Sequence, residues 1–178
     1  MTDKYIDVRD LPLCVKELRC GERVFLSGTV YTARDAAHKR LLSMIEQSQP
    51  LPFDIKNSVI YYAGPTPTQD NGTFGSFGPT TSSRMDAFSP VLLDKGLIAM
   101  IGKGNRNKSV IEAIVRNKAV YFCAGGGLGA LISRSIADIK EIAFPELGCE
   151  SIKELTVKNM PLTVGIDSFG NSIFNRKI

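Results

Sequence analysis

A chain of 178 residues with 43% apolar and 22% charged residues has the balance of one soluble globular domain, which excludes a long disordered segment, a collagen-like repeat or a coiled coil. No apolar run approaches the ~20 residues that span a bilayer. The net charge is +4, with basic residues spread among acids and no tryptophan, a pattern that speaks against nucleic acid and suits a small anionic substrate.

The start, Met1-Thr-Asp-Lys-Tyr-Ile-Asp7, is polar and acidic without a secretory pattern, so a reducing cytoplasm is expected. Glu22 to Tyr31 is rich in β-branched and aromatic residues and predicts a strand, with Gly28 marking a bulge. Ala33 to about Gln47 places Ala37, Leu41, Met44 and Ile45 on one helical face. Val59 to Tyr62 is a short apolar strand. A long Gly/Pro/Thr/Ser stretch follows, Ala63 to Ser83, and loops of this length commonly carry function. Arg84 to about Lys95 predicts a helix, and Leu97 to Ile101 a buried strand that ends in Gly102-Lys-Gly104. Ser109 to Asn117 is helical and Ala119 to Ala124 a strand. A triple glycine then opens a helix from Leu128 to about Ile139. The tail has β character at Glu154–Lys158, Leu162–Ile166 and Ser172–Phe174. Alternating short strands and helices predict an α/β fold in one domain over 1–178, with a β element at each end.

Four cysteines, Cys14, Cys20, Cys123 and Cys149, form no CxxC pair. Cys123 lies in an apolar run and has the context of a core residue. The spacings match neither ferredoxin pattern, and a single histidine, His38, leaves zinc without a ligand set. No metal site is expected in this chain.

Three cations stand at junctions where anions bind. Thr32-Ala-Arg-Asp35 and Ser83-Arg-Met-Asp86 both fit the capping-box pattern, which would put Arg34 and Arg84 in first helical turns. A cation there opposes the helix dipole, and the tension disappears if an anion binds the free N–H groups and the guanidinium together. A solvated arginine is the plain alternative. Lys103 sits between two glycines after an apolar strand, where the backbone can approach a ligand and where open α/β sheets bind ligands. Three such cations suit a dicarboxylate or a phosphate. His38 lies one turn beyond Arg34 and is either a fourth contact or a structural residue. Thr80, in Gly78-Pro-Thr-Thr-Ser-Ser-Arg84, is either part of a turn or a hydroxyl that meets a substrate carboxylate or moves a proton with help from a carboxylate.

Gly125-Gly-Gly-Leu-Gly-Ala130 fits the dinucleotide fingerprint between a strand and a helix. The acid expected about 20 residues on is not well placed, since Glu146 follows Pro145 and Glu150 follows Gly148-Cys149. A nucleotide- or anion-binding module stays open as a reading from another class, as does close packing of helix on strand.

Ser27-Gly-Thr-Val-Tyr-Thr-Ala-Arg-Asp-Ala-Ala-His-Lys-Arg40, Tyr62-Ala-Gly-Pro-Thr-Pro67, Gly78-Pro-Thr-Thr-Ser-Ser-Arg-Met-Asp86 and Ile101-Gly-Lys-Gly104, taken in order, resemble one family: the β subunit, or C-terminal domain, of class I iron–sulfur fumarate hydratases and L-tartrate dehydratases. The likeness runs nearly the whole chain and includes the glycine run and Phe144-Pro-Glu-Leu-Gly148. Ser83 departs from it, because glycine is expected before Arg-Met-Asp. The resemblance implies a swivelling β/β/α domain whose 63–83 loop closes over the site. It implies reversible hydration of fumarate to L-malate, or dehydration of tartrate to oxaloacetate. It further implies a [4Fe–4S] cluster held by a partner α subunit in a heterodimer or heterotetramer, not by this chain. Arg34, Arg84 and Lys103 would clamp the dicarboxylate, Thr80 would take part in proton transfer, and His38 would lie near the site.

Overall fold

Alternation along the short strands decides which side chains enter which core. The computed structural model describes residues 3–65, 75, 77–125 and 129–175. Its strands are β1 (Lys4–Asp7), β2 (Arg23–Thr32), β3 (Val59–Tyr61), β4 (Ala99–Gly102), β5 (Val120–Cys123), β6 (Ile136–Ala143) and β7 (Ile152–Ile166). The helices are α1 (Leu11–Cys14), α2 (Asp35–Glu46), α3 (Ser89–Asp94), α4 (Lys108–Asn117) and α5 (Gly129–Ser135).

β2, β3, β4 and β5 run parallel in that order, β7 pairs antiparallel with β5, and β7 also pairs antiparallel with β2. The sheet therefore closes on itself as a five-stranded barrel. β1 adds parallel to β2 and β6 antiparallel to β7. Val59, Tyr61, Ala99, Ile101, Val120 and Phe122 point into the barrel with Val24, Leu26, Leu155 and Val164. Their neighbours Ile60, Tyr62, Met100 and Tyr121 face the opposite way and pack under Ala37, Leu41, Leu92, Leu93, Val110 and Ile114 from the helices. Two cores thus share one wall, and the expected α/β class is what the chain forms. No helix among the described residues is long and apolar enough to cross a membrane.

The bulge expected at Gly28 is present: the β2–β7 register shifts between Leu26 and Gly28, and Gly28 has φ +117. A side chain there would press on Val8, whose Cβ lies 3.1 Å from the position a Cβ would take.

Several expected elements differ. The helix at 84–95 is broken, with a 3-10 turn at Ser82–Met85 and then α3 opened by Pro90, because proline starts a helix well and continues one badly. The helix expected from Leu128 to Ile139 stops at Ser135, and Ile136 onward pairs with β7 instead. The tail stretches expected at Glu154–Lys158 and Leu162–Ile166 are one strand, β7, which carries Pro161 opposite Phe25, whereas the β character expected at Ser172–Phe174 is reduced to a single bridge from Ser172 to Ile166 before a 3-10 turn at Ile173–Asn175.

Both capping boxes fail. The residue before the first turn of α2 is Arg34, with no side-chain cap. Thr32, still in β2, gives its hydroxyl to the Ser151 carbonyl (3.5 Å) and accepts from the Lys153 amide (3.0 Å). Arg84 sits within the 3-10 turn rather than a first helical turn. Of the stretch 63–83, residues 66–74 and 76 lie outside the described residues, and with them the closure expected of that loop.

Candidate functional site

Sheet register brings the candidate residues to one rim. Thr32, Tyr61, Ile101 and Phe122 lie in one row across β2, β3, β4 and β5. Arg34 is two residues beyond Thr32, and Lys103 two residues beyond Ile101, each past the C-terminal end of its strand. The strands β2 and β4 are two sheet spacings apart, about 10 Å, which long cationic side chains bridge easily. β3 lies between them, and its continuation receives the segment that carries Thr80 and Arg84. Ala63 bridges to Pro79, and the Thr80 amide donates to the Tyr62 carbonyl at 2.7 Å. Thr81 bridges to Lys103, and the Ser82 amide donates to the Lys103 carbonyl at 2.9 Å.

Each arginine has a carboxylate beside it. The Arg84 Nε donates to Asp35 Oδ1 at 3.0 Å, with the Arg84 side chain 54% exposed. Arg34 Nε lies 3.5 Å from Glu150 Oε1, within ion-pair distance but without a hydrogen bond between them. Lys103 is exposed and forms no ion pair with a described residue. Asp35 and Glu150 were not singled out from the sequence as partners of these cations. Asp35 was visible only as the acid of a capping box, and Glu150 ends a kinked 3-10 segment with Gly148 at φ 60, which no local pattern announces.

Buried polar atoms without partners collect at the same place. Four are found among the described residues, and three of them are Arg34 Nε, Asp35 Oδ2 and His38 Nε2, at the start of α2. Buried polar groups are normally hydrogen-bonded, so their concentration marks this corner as built for something other than stability.

His38 is inside the protein rather than on the rim. It is fully buried, edge-on to Tyr62 with ring centroids 5.4 Å apart, and 5.8 Å from the ring of Phe88. Its Nδ1 lies 2.8 Å from the Arg34 carbonyl. A carbonyl only accepts, so Nδ1 carries the proton and Nε2 is a bare acceptor. Burial pushes the ring's pKa down to about 4, with the Arg34 carbonyl opposing the shift. Through this contact His38 steadies the backbone of Arg34.

A consequence for stability follows. Unfolded His38 takes up its proton near 6.5, the folded ring only near 4. Between those values the unfolded state binds more protons, so stability is lost as pH falls through the window, by about 3 kcal/mol in full. Urea midpoints measured from about pH 7 to 4.5 are expected to fall less steeply in His38→Gln than in the wild type. Equal slopes would remove His38 as the cause.

No group of three or more His, Cys, Asp or Glu side chains that could hold a metal ion occurs among the described residues. What the rim offers is positive charge, guanidinium and ammonium donors, and the Thr80 hydroxyl, an arrangement suited to carboxylate or phosphate oxygens.

The glycine-rich turn at 125–130 does not lead into a nucleotide-binding βαβ unit. Residues 126–128 lie outside the described residues. The strand after α5, β6, is separated from β5 by β7, which pairs antiparallel with both, whereas the two strands that flank the fingerprint are parallel neighbours.

Comparison with known proteins agrees with this geometry. The chain is 39% identical over 173 residues to a putative L(+)-tartrate dehydratase subunit β of Methanocaldococcus jannaschii, covering 92% of this chain and 89% of that one. It is 38% identical over 160 residues to fumarate hydratase 2 of Leishmania major, covering 89% of this chain but only 28% of that protein. The L(+)-tartrate dehydratase subunit β of Escherichia coli is 33% identical over 171 residues. The chain thus spans little more than a quarter of the fumarate hydratase, 28% of its length, and most of the tartrate dehydratase subunits. The model of the fumarase C-terminus family matches residues 3–177, and the chain belongs to that family.

Proposed function

We propose that this chain is the β subunit of an iron–sulfur-dependent hydro-lyase that hydrates fumarate to L-malate and works only with a cluster-bearing α subunit. The observation that carries the reading is the row of strand ends from β2 to β4, which gathers Arg34, Thr80, Arg84 and Lys103 on one rim. Arg34, Arg84 and Lys103 bind the substrate's carboxylates. Removal of a proton next to a carboxylate builds negative charge on that carboxylate, and preorganised cations stabilise it more in the transition state than in the ground state. Thr80 lies beside this charge and moves or orients the proton. A threonine needs a carboxylate to act as a base; among the described residues Asp35 and Glu150 lie at the rim, each beside an arginine.

The described side chains of this chain do not fit an iron–sulfur cluster. Cys14 and Cys123 are part-buried with raised pKa values, each chiefly through burial, and no grouping of ligands is present. As the family resemblance implies, the reading places the cluster in the α subunit, where it would supply Lewis-acid chemistry to the substrate. The assembly is a cytoplasmic heterodimer or heterotetramer.

L(+)-tartrate dehydratase is the second reading, favoured because the relatives this chain covers at 89% and 84% of their length are tartrate dehydratase β subunits by name. Anaerobic co-purification with the α subunit and assay of both substrates separates the two. The complex is expected to turn over fumarate and the chain alone neither substrate. Turnover of tartrate alone selects the second reading, and turnover of neither substrate by an assembled, cluster-loaded complex overturns both.

A further inference from the structure

Behind the rim lies a second charged pair that the chemistry above does not use. Arg106 has a side chain that is 0% exposed, and Asp86 one that is 8% exposed. Arg106 Nε donates to Asp86 Oδ1 at 2.6 Å and Nη2 donates to Ser89 Oγ at 2.6 Å. Nη1 lies 3.5 Å from the Tyr62 hydroxyl, and the guanidinium centre stands 5.3 and 5.1 Å from the ring centroids of Tyr62 and Tyr121. The other Asp86 oxygen accepts from the Asn107 amide at 2.8 Å. Ser89 passes the connection on, because its hydroxyl donates to the Met85 carbonyl at 2.9 Å.

These contacts join two segments of the rim. Asp86, Met85 and Ser89 border the turn that presents Arg84, whereas Arg106 and Asn107 end the loop that presents Lys103. We propose that the buried Asp86–Arg106 pair is a positioning clasp that fixes the spacing between Arg84 and Lys103, and so sets the length of dicarboxylate the rim prefers. This rests on the preceding reading of Arg84 and Lys103 as carboxylate binders.

A buried ion pair is a poor device for stability, since desolvation offsets most of the attraction. What a fork with several fixed acceptors does well is specify one geometry. A lysine at 106 keeps the charge but makes a point contact, and cannot hold Asp86 and Ser89 in the same plane. Arg106 and Asp86 touch no substrate in this account and act only through Arg84 and Lys103.

The test uses the complete α–β complex. Arg106→Lys and the milder Ser89→Ala, which leaves the ion pair intact, are compared with wild type and with Val157→Ala, a destabilising change in the barrel core. Three quantities are read: kcat and KM, the urea midpoint, and the ratio of inhibition constants for malonate and succinate, which differ by one carbon. Arg106→Lys is expected to lower kcat/KM by about ten- to a hundredfold, chiefly through KM, and to change the malonate-to-succinate ratio by at least about threefold. Ser89→Ala is expected to shift the ratio the same way by a smaller factor, and supports the proposal by itself if the lysine variant does not assemble. Val157→Ala is expected to lower the midpoint and leave the ratio unchanged.

An unchanged ratio in both Arg106→Lys and Ser89→Ala, with activity following stability as in Val157→Ala, overturns the clasp. Arg84→Ala and Lys103→Ala in the same inhibition assay show which level has failed. If they weaken both inhibitors while the clasp variants leave the ratio alone, the clasp is wrong and the carboxylate reading stands. If they change neither inhibition constant, the carboxylate reading falls and the clasp with it.

Discussion

Replacing Arg84 with alanine in the assembled enzyme is expected to lower kcat/KM by about a hundred- to a thousandfold, the cost of removing one preorganised donor from a developing oxyanion. The fold should survive, because the side chain is 54% exposed and, among the described residues, its one side-chain hydrogen bond runs from Nε to Asp35. Exposed pairs of this kind contribute at most about 1 kcal/mol. The bond to Asp35 uses the inner nitrogen, and no described residue bonds the two terminal nitrogens, which have the geometry to fork onto a carboxylate. Arg84→Lys should therefore recover only part of the loss, since an ammonium has no second arm to spare once it meets Asp35. Steady-state kinetics with the cluster content of each variant measured alongside decide the matter. Near-wild-type kcat/KM in a cluster-loaded Arg84→Ala complex would sink the role given to this residue.

Two of the rim's cations, Arg34 and Lys103, were legible in the sequence because each follows a strand-forming run by a short, fixed step. Arg34 comes just after the strand ending at Thr32, and Lys103 just after the one ending at Gly102. In a parallel sheet such steps become a common edge, so spacing along the chain translates into proximity. What holds the cations was not legible, since it depends on contacts between distant segments. Glu150 reaches Arg34 across the chain, and Arg106 takes the acid that a local pattern assigned to a helix cap. The two capping boxes were misread for one reason: the hydroxyl or carboxylate that would have capped a helix is bound elsewhere, Thr32 by β7 and Asp86 by Arg106. The barrel's closure was hidden in the same way. β7 spans two stretches that each look like a short strand, and only its antiparallel pairing with β2 on one side and β5 on the other makes it one element. The start of β6, Ile136 to Ile139, was read as the end of the helix opened by the glycine run, and pairing with β7 overrides that reading from Ile136 onward.

Gly102 is where the barrel wall and the rim touch most closely, and Gly102→Ala is expected to damage both. A Cβ at this position would overlap the Ser82 hydroxyl outright and lie 2.9 Å from Cδ2 of Tyr62. Neither neighbour can retreat. Both are fully buried, the Tyr121 hydroxyl lies 2.9 Å from Ser82 Oγ, and the Ser82 amide is bonded to the Lys103 carbonyl at 2.9 Å. Overpacking of this kind costs about 1–3 kcal/mol, against which the alanine returns about 0.4–1 kcal/mol by restricting the unfolded chain. Net destabilisation of about 1–2 kcal/mol is the expected result, read as a lower urea midpoint with an unchanged slope. Activity should fall further than that loss explains, because Ser82 begins the turn that carries Arg84 and is bonded to the residue that carries the rim's ammonium. Ser82→Ala in the same chain removes the overlapping oxygen, so the double variant should be more stable than the sum of the single changes predicts. Additive effects in that cycle, or a Gly102→Ala complex with normal KM, would mean that the rim does not lean on this contact.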